Sequence, residues 1–331
     1  MKYKLLGQTG IKVSQLCLGT MSFGGDADAS ESERMFELSR DTGINFFDCA
    51  DVYNDGEAER ILGRLVKKCR DEVVIASKVY FPTGEGINSR GASRYHIMNA
   101  VESSLKRLQT DRIDVYYIHR FDDLTPIDET LKVLDDLVAQ GKVLYPGASN
   151  FAAWQVAKAL GISERRELTP FYCVQPMYNL VKRQAEVEIF PQANAENLGV
   201  VPYSPLGGGL LTGKYNQKDK PDKARLTHNK MYATRYGHDW MFQTAKKFSE
   251  FAAKRGFSPV SLAVAWAASH PAVTCPIIGA RNVAQLKDSI NSVQIEMTDE
   301  MRERISSLSP EPSPATDRNE ERTEHNYGIR K

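Results

Sequence analysis

Short apolar, β-rich runs alternate along this chain with longer stretches in which apolar residues recur at helical spacing. The runs predicted as strands are residues 16–18, 45–48, 73–78, 114–119, 143–149, 171–175, 200–203 and 274–278. Helices are predicted at 33–42, 58–69, 93–108, 128–140, 151–160, 184–197, 260–269 and 283–292. Ser30, Ser93, Asn150 and Asn282 stand where a side-chain oxygen would cap a helix N-terminus. Gly43, Gly141, Gly161 and Gly199 stand where a left-handed residue would end one. Eight strand-then-helix units in series are what a closed (β/α)8 barrel requires. A doubly wound sheet usually has fewer strands and an early glycine-rich phosphate loop, and no G-x-G-x-x-G occurs in this chain. The pattern predicts an α/β protein of the (β/α)8 TIM-barrel class.

Several segments fall outside the repeat. Residues 1–13 carry two short apolar stretches around Gly7 and Gly10 and fit an N-terminal hairpin that plugs the barrel floor. Residues 207–240 form a long polar connection after the seventh strand, followed by a helical run at 241–255; connections of that length are uncommon unless functional. Residues 298–308 read as an extra C-terminal helix, and 309–331 as a charged, proline-spotted extension. No linker divides the chain, so residues 1–331 read as one domain. Pro146 inside the fifth strand marks a bend or weak pairing.

Composition narrows the function classes. The chain has 331 residues, 41% of them hydrophobic, and a formal net charge of +1 from 43 Lys and Arg against 42 Asp and Glu. That balance removes the electrostatic reason to expect generic nucleic-acid binding. The start has no apolar leader, and no stretch approaches the roughly 18 apolar residues of a membrane span. Cys17, Cys49, Cys69, Cys173 and Cys275 are odd in number and lack C-x-x-C spacing, which argues against a disulfide framework or a zinc site. A cytoplasmic enzyme without a metal is the expectation.

The predicted strand ends carry the chemistry, because TIM-barrel sites sit at the carboxyl ends of the strands. Asp48, Lys78 and His119 end three consecutive apolar strands, and Tyr53 lies five residues past Asp48. A free phenol, with a pKa near 10, is a weak acid at neutral pH. A lysine cation beside it favours phenolate and is expected to lower that pKa, while a carboxylate keeps the lysine charged. A histidine can add a hydrogen bond to a substrate carbonyl. Such a cluster suits protonation of a carbonyl oxygen while hydride reaches its carbon, and the hydride must come from a cofactor.

These residues bring a family into view. Residues 19–24 (GTMSFG), 45–53 (NFFDCADVY), 77–78 (SK), 117–120 (YIHR), 147–150 (GASN), 175–179 (QPMYN), 203–215 (YSPLGGGLLTGKY) and 278–281 (IGAR) follow one another in the order and spacing of the aldo-keto reductase superfamily, which the chain resembles almost end to end. The glycine-rich segment resembles most the branch with potassium-channel β-subunits and bacterial general-stress reductases. The resemblance implies an NADPH-dependent reductase of aldehydes or ketones. Asp48, Tyr53, Lys78 and His119 would be its catalytic tetrad, with Tyr53 as the acid.

It further implies that Thr20, Met21 and Asp48 border the cofactor, and that Ser149, Asn150 and Gln175 hold the nicotinamide carboxamide. Tyr203 would stack on the ring, and the segment Ser204, Pro205, Leu206 and Gly208 would meet the pyrophosphate. Gly279 and Arg281 at a helix start, with Lys214 and Arg225, would grip a 2′-phosphate, favouring NADPH over NADH. Gln285, Asp288 and Ser289 would face adenosine, although relatives often carry Glu-Asn at the last two positions. Met21, Tyr53, Tyr80, Phe81, His119, Arg120, Phe121, Tyr178 and Asn179 are the candidate substrate wall, with Arg120 able to meet an anionic group. Tyr232, Tyr236, His238 and Trp240, or the tail around His325 to Tyr327, are candidate lids.

The chain also carries signals for two alternatives. Residues 208–214 spell G-x-x-x-x-G-K, but Tyr215 follows where a P-loop needs Ser or Thr for magnesium. The stronger rival is a cofactor-binding redox sensor or regulatory subunit with slow turnover. The partner expected in either case is a small-molecule carbonyl substrate, with no nucleic acid and no membrane.

Overall fold

The computed structural model describes residues 1–215, 226 and 229–323. A hairpin, β1 (Tyr3–Leu5) and β2 (Lys12–Ser14), precedes eight parallel strands. These are β3 (Cys17–Gly19), β4 (Phe46–Asp48), β5 (Val74–Val79), β6 (Ile113–Ile118), β7 (Val143–Ser149), β8 (Cys173–Gln175), β9 (Gly199–Val200) and β10 (Ile277–Ile278). They pair in chain order, with β10 returning beside β3. The seam between β9 and β10 is closed by Thr274 N–H donating to Val200 O at 2.9 Å and Ile277 N–H donating to Pro202 O at 2.8 Å. The fold is a (β/α)8 TIM barrel.

Among the described residues the helices are α1 (Ala29–Asp41), α2 (Glu57–Val66), α3 (Arg94–Leu108), α4 (Ile127–Ala139), α5 (Ala153–Arg166), α6 (Ile189–Ala195), α7 (Lys230–Tyr236), α8 (Asp239–Lys254), α9 (Pro259–Ala268), α10 (Val283–Ile290) and α11 (Asp299–Ser306). Ser93 and Asn282 cap α3 and α10 as expected, accepting from His96 N–H and Gln285 N–H. Elsewhere the ends differ from the sequence reading. Asp28, not Ser30, caps α1, so Ser30 lies inside that helix. Asn150 adopts φ 57° and Ala152 is the residue at the N-terminus of α5, which runs through Gly161 to Arg166. Gly199 opens β9 instead of ending a helix, and a Cβ there would meet Leu6 Cδ1 at 2.6 Å, so glycine permits close approach of the floor hairpin. The helix expected at 184–197 is a 3₁₀ turn (Gln184–Glu186) followed by α6. The long connection holds a 3₁₀ segment (Gly207–Thr212) and α7, and Arg225 and the tail around His325 lie outside the described residues.

Strand periodicity sorts the core into two parts. Cys17, Phe46, Val74, Ala76, Val115, Tyr117, Cys173, Val201, Cys275 and Ile277 fill the barrel interior, and Leu6 and Val13 of the hairpin close its floor. Phe47, Ile75, Tyr116, Ile118 and Val174, one residue out of phase, face the helices. Continuing the inward set upward by twos reaches Asp48, Lys78, His119, Gln175 and Tyr203. The chemistry-bearing side chains are thus the top layer of the barrel core. All five cysteines are free thiols, and Cys17, Cys49, Cys173 and Cys275 are buried.

Behind that layer, between α2, α3 and the strands, lies a second buried polar group. Glu59, 0% exposed, accepts from Arg107 Nε at 2.6 Å and from the Ser77 hydroxyl. Asp51 is 2% exposed, and neither of its carboxyl oxygens has a hydrogen-bond partner. Burial, reinforced by the neighbouring Glu59 carboxylate and opposed by Arg107, pushes the Asp51 carboxyl from 3.8 up to about 8.

Two outcomes follow from this packing. A Cβ at Gly147 in β7 would lie 2.6 Å from the Tyr117 ring and 2.9 Å from Cys173 Sγ, so Gly147→Ala is expected to cost about 1–3 kcal/mol by overpacking. Urea unfolding checks this, and unchanged stability contradicts it. Asp51 retains in the native state a proton that the unfolded chain releases above about pH 4, so its contribution to stability worsens as pH rises toward 8. Asp51→Asn is expected to raise Tm, with about 2–4 °C for each kcal/mol recovered and a larger gain at alkaline than at acidic pH. Thermal melts at both extremes measure it; a pH-independent difference contradicts the assignment.

Candidate active site

Lys78 sits at the top of β5 with its side chain 0% exposed, and its ammonium has three protons to place. Each finds an acceptor: Asp48 Oδ2 at 2.6 Å, the Cys49 carbonyl at 2.7 Å and the Tyr53 hydroxyl at 3.3 Å. Asp48 is held in turn by Gln175, whose Nε2 donates to Oδ1 at 2.8 Å. The Thr20 amide and hydroxyl both donate to the Asp48 carbonyl, at 2.9 and 3.0 Å, which fixes the end of β4.

Tyr53 reaches this cluster because the chain turns sharply just after it. Asn54, Asp55 and Gly56 all have positive φ, at 48°, 53° and 82°. The Asn54 side chain ties the turn to the loop after β3, donating to the carbonyls of Met21 at 3.0 Å and Phe23 at 2.7 Å. Asn-Asp-Gly is a turn signal legible in the sequence. His119 stands edge-on to Tyr53 with ring centroids 6.1 Å apart, and its Nδ1 is buried without a hydrogen-bond partner.

The electrostatics correct one sequence expectation. Lys78 does pull Tyr53 toward phenolate, but burial is the larger effect and the phenol is pushed up to about 12. Burial opposes the charge on Lys78, yet the Asp48 carboxylate and the Tyr53 oxygen outweigh it and hold the ammonium above the usual lysine range. Burial, with help from Lys78, drives His119 well below its ordinary value. The cluster therefore presents a charged lysine, a neutral imidazole and a fully protonated phenol.

A polar edge adjoins this centre. Asn150 Nδ2 donates to the His119 carbonyl at 2.9 Å and to Ser149 Oγ at 3.1 Å, while Tyr203 OH donates to Asn150 Oδ1 at 2.6 Å. Beyond Tyr203, Ser204, Gly207, Gly208 and Gly209 all take positive φ, and within this turn the Gly207 and Gly209 amides donate to the carbonyls of Ser204 at 2.9 Å and Leu206 at 3.0 Å. Half-buried Leu206 and buried Pro205 complete that turn, and a Cβ on Gly209 would come within 2.8 Å of Lys214 Nζ. Gly279 opens onto free space. Arg281, at the start of α10, is paired through Nε with Asp26 Oδ2 at 2.9 Å, and its amide donates to Gln285 Oε1 at 3.1 Å. The cations Lys214 and Arg281 carried by these segments fit the anionic phosphates of an extended dinucleotide.

Several candidate residues are placed elsewhere. Thr20 is 0% exposed, and its hydroxyl is turned to the Asp48 carbonyl at the strand end. Ser289 is 1% exposed on the inner face of α10, whereas Asp288 is exposed. Tyr178 is 0% exposed among Phe190, Trp266 and His270, its hydroxyl joining Glu186 and Arg302, so it is not a substrate-wall residue. Asn179 is 0% exposed and braces the glycine turn, donating to the Ser204 carbonyl at 2.9 Å and Tyr236 OH at 3.2 Å. Phe81 stands edge-on to His119 at 4.8 Å and to Tyr80 at 5.3 Å, Arg120 follows His119 in the chain, and Met21 is 41% exposed; Phe121 packs edge-on to Phe151 at 5.3 Å. Trp154, 61% exposed and 6.0 Å from the Phe121 ring, extends this aromatic rim and was not anticipated. A depression of about 630 Å³ bordered by Gln8, Leu160, Tyr172 and Asn197 lies at the floor end, away from these groups.

Among the described residues, no helix is long and apolar enough to cross a membrane. The family model for the aldo/keto reductase family matches residues 15–310. An uncharacterized oxidoreductase of Bacillus subtilis, YrpG, is 39% identical over 327 residues, spanning 96% of this chain and 98% of that protein. Probable voltage-gated potassium channel β-subunits of Arabidopsis thaliana and Oryza sativa are each 36% identical over 302 residues, spanning 89% of this chain and 92% of theirs. With its barrel, its strand-end cluster and these likenesses, the chain belongs to the aldo/keto reductase family of oxidoreductases.

Proposed function

We propose that this oxidoreductase reduces small aldehydes or ketones with NADPH, Asp48, Tyr53, Lys78 and His119 forming its catalytic tetrad. The observation that carries the reading is the saturated Lys78 ammonium, which touches Asp48, the Cys49 carbonyl and Tyr53 at once. The bound cofactor supplies the hydride, which the side chains themselves cannot. A carbonyl oxygen entering between Tyr53 and neutral His119 receives a hydrogen bond from each. As negative charge grows on that oxygen, Tyr53 transfers its proton, since a developing alkoxide is a far stronger base than a phenolate. Lys78, already 3.3 Å from the Tyr53 oxygen, then stabilises the phenolate left behind. The pair with Asp48 prevents the ammonium from moving or losing its proton.

Ser149, Asn150 and Gln175 are the proposed carboxamide contacts, Tyr203 the ring platform, and Arg281 with Lys214 the 2′-phosphate cations. Soluble, cytoplasmic operation on a small-molecule carbonyl is part of the same reading. The second reading, a redox-sensing or regulatory role with slow turnover, is favoured by the likeness to proteins named as channel β-subunits. A steady-state screen of aldehydes, ketones and pyridoxal with NADPH and NADH separates the two. Multiple turnovers support the reductase; tight cofactor binding without turnover supports the sensor.

Tyr53→Phe is expected to lower kcat by about 10²–10⁴-fold while leaving the cofactor Kd unchanged. Unchanged kcat would remove Tyr53 from the role of acid. Because Tyr53 must be protonated to act in reduction, activity is lost only as pH rises through its folded pKa of about 12. The kcat/KM for reduction is therefore expected to stay flat past pH 10, the range where an ordinary tyrosine titrates. A fall centred well below pH 10 contradicts the burial argument.

A further inference from the structure

We propose that Asp26 sets the choice between phosphorylated and unphosphorylated cofactor by competing for Arg281, an inference that rests on Arg281 being the 2′-phosphate arginine. The loop after β3 and the start of α1 are docked onto the start of α10 at three points. Ser22 Oγ donates to the Ala280 carbonyl at 2.6 Å, and Val283 N–H donates to Glu31 Oε1 at 2.6 Å. Between these anchors, Arg281 Nε pairs with Asp26 Oδ2 at 2.9 Å. Their settings differ. Ser22 is 6% exposed and the Glu31 side chain 16%, so the anchors are sheltered. The Asp26 and Arg281 side chains are 48% and 36% exposed, so their pair opens onto solvent where an incoming group can reach it.

The chemistry gives this placement a consequence. A phosphate monoester carries about −1.5 to −2 charges near neutral pH and prefers a guanidinium in bidentate contact. It must share Arg281 with the Asp26 carboxylate or displace it, and the two anions repel each other. A ribose 2′-hydroxyl is neutral and can donate to a carboxylate, the use to which other dinucleotide-binding folds put an acidic residue. Asp26 thus opposes NADPH and leaves NADH unopposed, while Arg281 does the reverse. Sheltered Ser22 and Glu31 keep the carboxylate near the guanidinium, so the opposition is built into the loop. Glu31 does not take over the competing role, because its carboxylate is engaged by Arg34 and by Val283 N–H. Exposed pairs are worth about 0–1 kcal/mol, which corresponds to an effect of up to about fivefold in affinity.

Calorimetric titration of the full chain with NADPH and NADH tests this without requiring turnover. Asp26→Asn is expected to tighten NADPH by about two- to fivefold while NADH binds equally or more weakly. The tightening is expected to vanish in the Asp26→Asn, Arg281→Ala double variant and to shrink as added salt screens the pair. Thermal melts verify that each variant is folded. NADPH affinity that is unchanged or weaker in Asp26→Asn overturns the proposal, as does equal tightening of both cofactors. Arg281→Ala keeps the two levels apart: if it weakens NADPH selectively while Asp26→Asn does nothing, the phosphate reading stands and the Asp26 proposal falls. If it affects neither cofactor, or if neither binds, both fall.

Discussion

The Lys78 ammonium is fully buried at the mouth of the barrel, and every neighbouring group is arranged around the cost of keeping it charged there. Taking an ion pair out of water is expensive, and the attraction within the pair offsets that cost only if the geometry is good and the remaining donors are satisfied. Here Asp48 neutralises the charge, Cys49 and Tyr53 take the other protons, and Gln175 occupies the second Asp48 oxygen. Apolar residues of similar volume would often serve stability equally well or better at such a position. A saturated buried lysine therefore makes more sense as chemistry than as a fold determinant. It places a fixed cation beside a phenol that burial has made reluctant to ionise.

Much of this was legible in the residues because a strand has a period of two. The inward set that fills the barrel with Phe46, Ala76, Tyr117 and Cys173 continues, without a change of phase, to Asp48, Lys78, His119 and Gln175. The period fails as a guide once the chain leaves the ladder. Tyr178 and Asn179 follow β8 closely, yet the backbone has already turned and both pack inward. Helix ends depart from the sequence pattern for a related reason. A glycine can end a helix, as expected at Gly161 and Gly199, but it can equally be tolerated within one or allow a neighbouring backbone to approach. The sequence also points the Tyr53 shift the wrong way, since it reveals the nearby cation but not the depth of burial that outweighs it.

Two cationic centres emerge on one rim with opposite physical settings. Lys78 works in a dry interior where its partners are immobile and its charge is barely screened, which suits a proton-transfer site. Arg281 stands in partial solvent paired with a half-exposed carboxylate, which suits the releasable cofactor contact proposed for it. The formal net charge of +1 averages these local fields away. The tyrosines of α7 pack against the glycine turn at Gly208. Tyr236 is buried and joined to Asn179, which braces the same turn that is proposed to receive the pyrophosphate.

The central claim is that this buried cluster directs hydride to a carbonyl carbon while Tyr53 protonates the oxygen. Its most direct measurement is a reduction with NADPH deuterated at the transferable position of the nicotinamide, with the alcohol product analysed by mass spectrometry. One deuterium on the former carbonyl carbon and a hydroxyl proton that exchanges with solvent are expected. Cofactor binding without any deuterated alcohol, or a product whose carbon-bound hydrogen comes from water, would contradict it.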